Sequence, residues 1–353
     1  MLRVPAALGH GTGVRLAYGD VMTTTPGLDD DRVVVVGAGI AGAACARSLA
    51  DRGVPVSVID RGHRPGGRLA SPTVAGRPVD LGGSYLTARE PAFAAIVDGW
   101  GERGLVRPWT DTFHIARHGQ VTGTTTGPMR WAATGGSRTL VADLLTGIDV
   151  VVEREVLAVS AGPAVDGRRV RAAALAMPDP QAARILDRSL PVEQAAVAGR
   201  AWDPVLAVMA GWSRREWLED LDGLFVHDDP VLAFVADDGR RRGDGAPVLV
   251  LHSTGDHGRR WDADPEGGRE ELVAAATRLL GVGPPDWSKA HRWRYARPVA
   301  ARTLTHHLGS SGVGLAGDGW GAARVETAWM SGTALGAALA ADQAAALTRP
   351  RAG

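Results

Sequence analysis

Two clusters in this 353-residue chain have residue types and spacings suited to holding a phosphorylated cofactor. The first is Gly37-Ala38-Gly39-Ile40-Ala41-Gly42, with Asp60 ending the next apolar run. Gly37 permits a tight turn, Gly39 lets the backbone approach a pyrophosphate, and Gly42 lets a helix pack closely on a strand. The helix that follows offers free N–H groups and a positive dipole end to the phosphates. Asp60 is placed to accept from both ribose hydroxyls. This fingerprint does not choose between NAD and FAD, but the second cluster does. An NAD domain would turn into its next helix after Asp60. Here Arg61 is followed by Gly66-Gly67-Arg68-Leu69-Ala70. A Gly-Gly-Arg turn runs the backbone along a second phosphate and a ribityl chain. Arg68 is then an anion partner, the alternative being a surface arginine.

Other reactive types form no convincing set. His306-His307, and His252 with His257, lack a metal-ligand pattern, so no metal is expected. No Gly-x-Ser-x-Gly elbow occurs. Cys45 is the only cysteine, which excludes an intrachain disulfide and a cysteine-based zinc site. Arg240-Arg241-Arg242 reads as a solvated hairpin tip in a glycine-rich turn.

The elements that must position these residues follow from their patterns. Val33 to Val36 is a β-branched apolar run, as in a buried parallel strand. Ala43 to Asp51 reads as a helix and Val54 to Ile59 as a second strand, completing a βαβ unit. Helices are predicted at Pro91 to Trp100, Ser137 to Thr146, Gln181 to Leu186, Glu270 to Leu280 and Val325 to Ala341. Strands are predicted at Val150 to Val159, Arg169 to Met177 and Gly312 to Ala316. Short strands between Pro204 and His252, separated by turn residues, predict antiparallel sheet. Residues 1–30 show no period and are expected to be a disordered extension, with Met22 a candidate natural start.

The length suits two domains or one large one. Basic and acidic residues number 39 each, which argues against a generic polyanion binder. No apolar run is long enough for a membrane span. A cytoplasmic location with no nucleic-acid partner is expected.

The chain resembles the flavin-dependent amine oxidase superfamily, and most closely its renalase branch. The resemblance rests on Val33 to Asp60, Gly66 to Ala70, Asp80-Leu81-Gly82-Gly83-Ser84-Tyr85-Leu86-Thr87 and Ala172 to Pro180. It continues through His291-Arg292-Trp293-Arg294-Tyr295-Ala296, Gly317-Asp318-Gly319-Trp320 and Arg324 to Gly332. The renalase likeness lies in the Val325-Glu326-Thr327-Ala328-Trp329 ending, the His-Arg-Trp-Arg-Tyr run and the short length.

The resemblance implies an α/β fold: a discontinuous Rossmann-type FAD-binding domain plus a substrate domain with a mainly antiparallel sheet, in the topology of amine oxidases and p-hydroxybenzoate hydroxylase. The expected FAD domain comprises 31–85, 135–180 and 295–345, and the substrate domain 86–134 and 181–294. Asp318 would accept from a ribityl hydroxyl. Val325, Thr327 and Ala328 would turn helix amides toward the flavin pyrimidine edge, with Glu326 either beside them or capping that helix. Gly82, Gly83, Ser84 and Tyr85 would pass close to the flavin ring. Val156 would meet the adenine end through its backbone, or simply be a core valine.

Hydride transfer to flavin needs geometry and desolvation more than a named acid or base. No catalytic residue is therefore assigned. Tyr85, Thr87, Trp131, His252 and Trp293 are candidates for lining the substrate face, with His252 read as a structural histidine first. Many amine oxidases hold a water near flavin N5 with a lysine. The only lysine here, Lys289, is not expected to serve that role. Cys45 is too early in the chain for a C-terminal cysteinyl-flavin bond, so FAD is expected to be non-covalent.

The function these features imply is a renalase-like oxidase. It would take hydride from dihydronicotinamide isomers of NAD(P) and pass the electrons to dioxygen. An amine or small-metabolite oxidase, or a non-catalytic flavin-binding protein, are the alternatives.

Overall fold

Val33–Val36 is buried at every position, and its alternate side chains enter two different cores. That is the requirement for a central strand with both faces covered. The computed structural model describes residue 28 and residues 30–348. The expected N-terminal extension lies almost wholly outside them. The described chain runs β1 (Val33–Val36), α1 (Ile40–Ala50), β2 (Val56–Ile59), α2 (Pro91–Glu102), β3 (Val106–Arg117), β4 (Gln120–Ala133), α3 (Arg138–Leu144), β5 (Asp149–Val151) and β6 (Ala172–Ala176). It continues with β7 (Trp202–Gly211), β8 (Gly223–Val226), β9 (Leu232–Asp237), α4 (Asp238–Arg242), β10 (Val248–Ser253), α5 (Pro265–Leu280), β11 (Trp287–Pro298), β12 (His307–Leu308), β13 (Val313–Ala316) and α6 (Val325–Thr348). Shorter helices and ribbons join them.

Two sheets dominate. A six-stranded sheet has the order β12-β13-β6-β1-β2-β5, parallel except for the edge strand β12. A seven-stranded sheet has the order β11-β7-β10-β9-β8-β3-β4, antiparallel except where β8 meets β3. The fold is thus mixed α/β, with a Rossmann-like sheet beside a mainly antiparallel one.

Helix α6 returns to the beginning of the chain. A side chain at Gly332 would collide with the Ala41 carbonyl, and one at Gly336 with that of Cys45. Glycines one helical turn apart therefore let α6 press its backbone onto α1. This contact lies at the start of α1, and Ala328 shares a core cluster with Ala38, Ile40 and Ala41.

In the second sheet, Leu206, Val208 and Ala210 of β7 face Leu272, Ala275 and Ala276 of α5. The opposite face, with Ala207 and Met209, meets Val79 and Leu81 of the segment between the sheets.

Several boundaries differ from the sequence reading. The expected strand Val150–Val159 stops at Val151, because Glu153 takes a φ of 57° and breaks the extended backbone. Helix α5 begins at Pro265, where Asp264 accepts from the Gly267 amide at 3.2 Å. The arginine run is not a solvated tip. Arg240, Arg241 and Arg242 lie in α4, and Arg241 is 1% exposed. Its guanidinium is drawn inside by Asp238 and by Asp80 at 3.6 Å, while Arg242 meets Asp80 at 3.1 Å.

Candidate flavin site

The fingerprint forms the turn its glycines require. Gly37 has a φ of 109°, and a side chain at Gly42 would overlap the Gly37 carbonyl. Helix α1 starts at Ile40 after Gly39 with no side-chain cap and no acidic residue in its first turn. Its leading N–H groups and positive dipole end are left for an anion. A side chain at Gly39 would meet nothing within 4 Å, so open space lies where a pyrophosphate belongs. Asp60 accepts from Ala38 N–H and Gly62 N–H, each at 2.6 Å. Each carboxylate oxygen keeps a lone pair for a ribose hydroxyl. The Glu153 and Arg154 amides donate to the Gly62 and Asp60 carbonyls at 2.9 and 3.0 Å, which draws the segment leading to Val156 alongside the ribose position. Val156 itself is buried among Val36 and Ile59. Arg61 points away, with its side chain 62% exposed and 4.0 Å from Glu155.

The Gly-Gly-Arg turn docks on this site. Gly66 N–H donates to the Ala38 carbonyl at 2.8 Å, and Gly67 packs on the Gly39 α-carbon. Leu69 is buried, and Gly83 N–H donates to the Arg68 carbonyl at 3.0 Å. Gly82 is pressed against that same carbonyl, and Gly83 lies between Leu69 and Val325. Backbone contacts thus join residues 37–42, 66–69 and 82–83, and the Val325 side chain packs beside Gly83. The Gly317 N–H donates to the Ser331 hydroxyl at 2.9 Å, fixing the approach to Asp318. Arg68 and Asp318 face each other, with hydrogen bonds of 2.7 and 2.5 Å, and Arg68 also donates to the Ala296 carbonyl at 2.9 Å. Two residues read as separate cofactor ligands therefore form one ion pair at the site.

Glu326 is neither a cap of its own helix nor directed along that helix's amides. Its buried carboxylate accepts from the Arg89 and Glu90 amides at 2.6 and 2.8 Å, at the start of α2. Thr327 packs on Gly321, and Ala328 is buried.

The loop that would border the flavin ring is held from the second sheet. Arg241 donates to the Ser84 carbonyl at 2.8 Å. The Ser84 hydroxyl is buried with no partner in the described protein. His252 Nε2 and Trp293 Nε1 converge on the Leu81 carbonyl at 3.0 and 3.2 Å. A carbonyl only accepts, so His252 carries its proton on Nε2. Burial pushes its pKa down to about 4, and Arg297 and Arg241 work in the same direction against the stabilising Leu81 contact. His252 is neutral at ordinary pH. Tyr85 turns into an aromatic group with Trp109, Phe113 and Phe234. Leu86 and Trp131 pair through both backbone hydrogen bonds at 2.9 Å, which places Thr87 beside β4. Lys289 is exposed on the edge strand β11, opposite Met209.

The sequence reading missed the Leu81 carbonyl, Arg241 and Arg138. Arg138 opens α3 against Gly66, and its Nε and one terminal nitrogen are buried without a partner among the described residues. Burial, then the neighbouring Arg64, holds this guanidinium below its usual pKa. An uncompensated cation beside the fingerprint suits a phosphate. The one sequence clue was the Gly135-Gly136-Ser137 lead into that helix. Glycine clearances, an uncapped helix start, the Asp60 carboxylate and unpaired Arg138 all fit FAD.

Comparison with known proteins agrees. Residues 35–100 match the NAD(P)-binding Rossmann-like domain, and residues 101–338 match the flavin containing amine oxidoreductase family. Putrescine oxidase of Kocuria rosea is 39% identical over 88 residues, 25% of this chain and 17% of that protein. Hydroxyneurosporene desaturase of Rubrivivax gelatinosus is 50% identical over 58 residues, 16% of this chain and 11% of that protein. The alignments thus span less than a fifth of these relatives. Cyclohexylamine oxidase from Brevibacterium oxydans superposes with a TM-score of 0.71 at 16% identity, covering 90% of this chain and 100% of that one. Wild-type putrescine oxidase bound to putrescine gives 0.68 at 18% identity, covering 90% and 99%. At these identities the superpositions show the fold. With the family match extending over most of the chain, the protein belongs to the flavin containing amine oxidoreductase family.

Proposed function

We propose that the enzyme oxidises a small molecule with a flat, electron-rich ring, of the dihydronicotinamide type, in the manner of the renalase branch. The observation that carries this reading is the state of His252. It is neutral, and its one N–H is spent on the Leu81 carbonyl. Phe234 and Trp293 flank it, Ala207, Met209 and Val250 lie buried beneath Val79 and Leu81, and the exposed His291 and Lys289 stand on the edge strand β11, with no carboxylate among them. Phe234 and Trp293 can stack on and desolvate a planar ring, and His252, with its pKa pushed down to about 4, is a poor base. A dihydropyridine needs none, because its ring nitrogen drives the C–H electron pair out. Bound FAD supplies the two-electron acceptor, and dioxygen is the proposed final oxidant, giving hydrogen peroxide. The protein's part is to hold the ring flat, exclude water and keep the 81–85 loop in place. A cytoplasmic enzyme working on a soluble nucleotide suits this reading.

A second reading is oxidation of an uncharged amine. The names of the putrescine and cyclohexylamine oxidases favour it, and the same apolar face would accept an amine that arrives deprotonated. Superfamily membership fixes the cofactor better than the substrate.

The two readings separate in one experiment. The FAD-loaded protein is mixed without oxygen with dihydronicotinamide isomers, and separately with a panel of amines. The expected result is bleaching of the flavin band by the isomers, reversed on admitting air. Bleaching by amines alone would replace the first reading with the second.

A further inference from the structure

We propose that Arg130 is a substrate-recognition residue, and that the substrate carries a carboxylate or phosphate which pairs with its guanidinium. This rests on the reading of the seven-stranded sheet as the substrate face. Arg130 lies near the end of β4 and is 6% exposed. Among the described residues no carboxylate reaches it. Its one protein hydrogen bond runs to the Asp111 carbonyl at 2.6 Å, and Nε has no acceptor. A buried guanidinium is normally matched by a carboxylate, because desolvating a lone charge is costly. The other buried arginine of this region, Arg241, has Asp238 and Asp80 for that purpose.

The location ties Arg130 to the flavin loop. Its guanidinium carbon lies 3.9 Å from the Phe113 ring centre and 5.6 Å from that of Tyr85, which directly follows the Gly82-Gly83-Ser84 approach. Tyr85 and Phe113 both contact Phe234, and Phe234 contacts His252 at 5.8 Å. A continuous chain of ring contacts, buried at Phe113, therefore leads from His252 to Arg130. The rings orient the guanidinium through their π faces but leave its charge unneutralised. An anionic group on a planar substrate would complete the site, with charge-assisted hydrogen bonds setting its direction along the face. A dihydronicotinamide nucleotide carries such a group, whereas a simple diamine does not.

The test uses two planar probes of nearly equal shape, nicotinate and nicotinamide, titrated into the FAD-loaded protein and followed by the flavin difference spectrum. Wild-type protein is expected to bind nicotinate more tightly than nicotinamide. Arg130→Gln should weaken nicotinate by about 10- to 100-fold, the usual loss for one charged hydrogen bond, while nicotinamide is unchanged. Arg130→Lys keeps the charge and should retain part of the preference. Equal binding of the two probes by wild type, or equal weakening of both in Arg130→Gln, would overturn the proposal. The wild-type comparison stands even if Arg130→Gln does not fold. Arg130-dependent nicotinate binding without bleaching by dihydronicotinamide isomers would support the anion site and remove only the proposed reaction.

Discussion

Gly39 and Gly42 lie in the same turn but lack a side chain for different reasons. At Gly39 the backbone has a φ of −81°, which any residue adopts, and a methyl group would meet no protein atom within 4 Å. At Gly42 a methyl group would overlap the Gly37 carbonyl. The first absence leaves open space that the proposed site assigns to the cofactor, and the second serves the fold. Gly39→Ala should therefore leave the thermal midpoint of the FAD-free protein unchanged while weakening FAD by about 10- to 100-fold, the scale of one or two charged hydrogen bonds. Gly42→Ala should lower that midpoint itself. Melting both FAD-free variants and titrating them with FAD distinguishes the roles, and equal melting loss in both would contradict it.

At the scale of elements, α4 works as a clamp between the two sheets. Its Asp238 meets Arg241, Arg242 and Arg77, while Arg241 and Arg242 share Asp80 on the loop before Gly82. Burial pushes the Asp238 carboxyl up, but the charges of Arg241, Arg242 and Arg77 outweigh it and hold the group below the usual carboxylate range. Asp80 also accepts from the Ser137 amide at 2.8 Å, so the same carboxylate tethers the start of α3. Removing one partner of such a buried set leaves uncompensated cations. Asp238→Asn should cost about 3–5 kcal/mol, seen as a lower denaturation midpoint. It should also disturb the flavin spectrum, because Arg241 holds the Ser84 carbonyl. A normal midpoint with a normal spectrum would show that α4 is not a clamp.

At the scale of the whole molecule, FAD would tie together segments from both ends of the chain, from Gly39 to Val325. Covalent attachment has no suitable thiol. Cys45 is fully buried on α1, and burial pushes its pKa up to about 12. Acid precipitation should release FAD intact into the supernatant. The FAD-free protein should melt below the loaded form by an amount that grows with the logarithm of FAD concentration. Flavin retained in the acid pellet would refute the non-covalent reading.

The fingerprint, Asp60 and the Gly-Gly-Arg turn were legible in the sequence because their chemistry is local. A strand, a tight turn and a helix start lie within one βαβ unit, and each glycine answers to neighbours close in the chain. Only the tertiary structure decided the partners of long charged side chains. It turned Arg68 onto Asp318, sent the Glu326 carboxylate to the Arg89 and Glu90 amides, and buried Arg241 against Asp80 and Asp238. Apart from Asp238 with Arg241 on one helix, these pairings join residues far apart in the chain, and an arginine run reads the same whether it faces water or an acidic cluster. The sequence by itself determined the glycine turn, the helix start and the placing of Asp60 on which the proposed FAD site rests. Packing of the second sheet against the 79–85 segment decided what the substrate would meet, because that face is assembled from strands whose individual patterns record burial but not the neighbour that buries them.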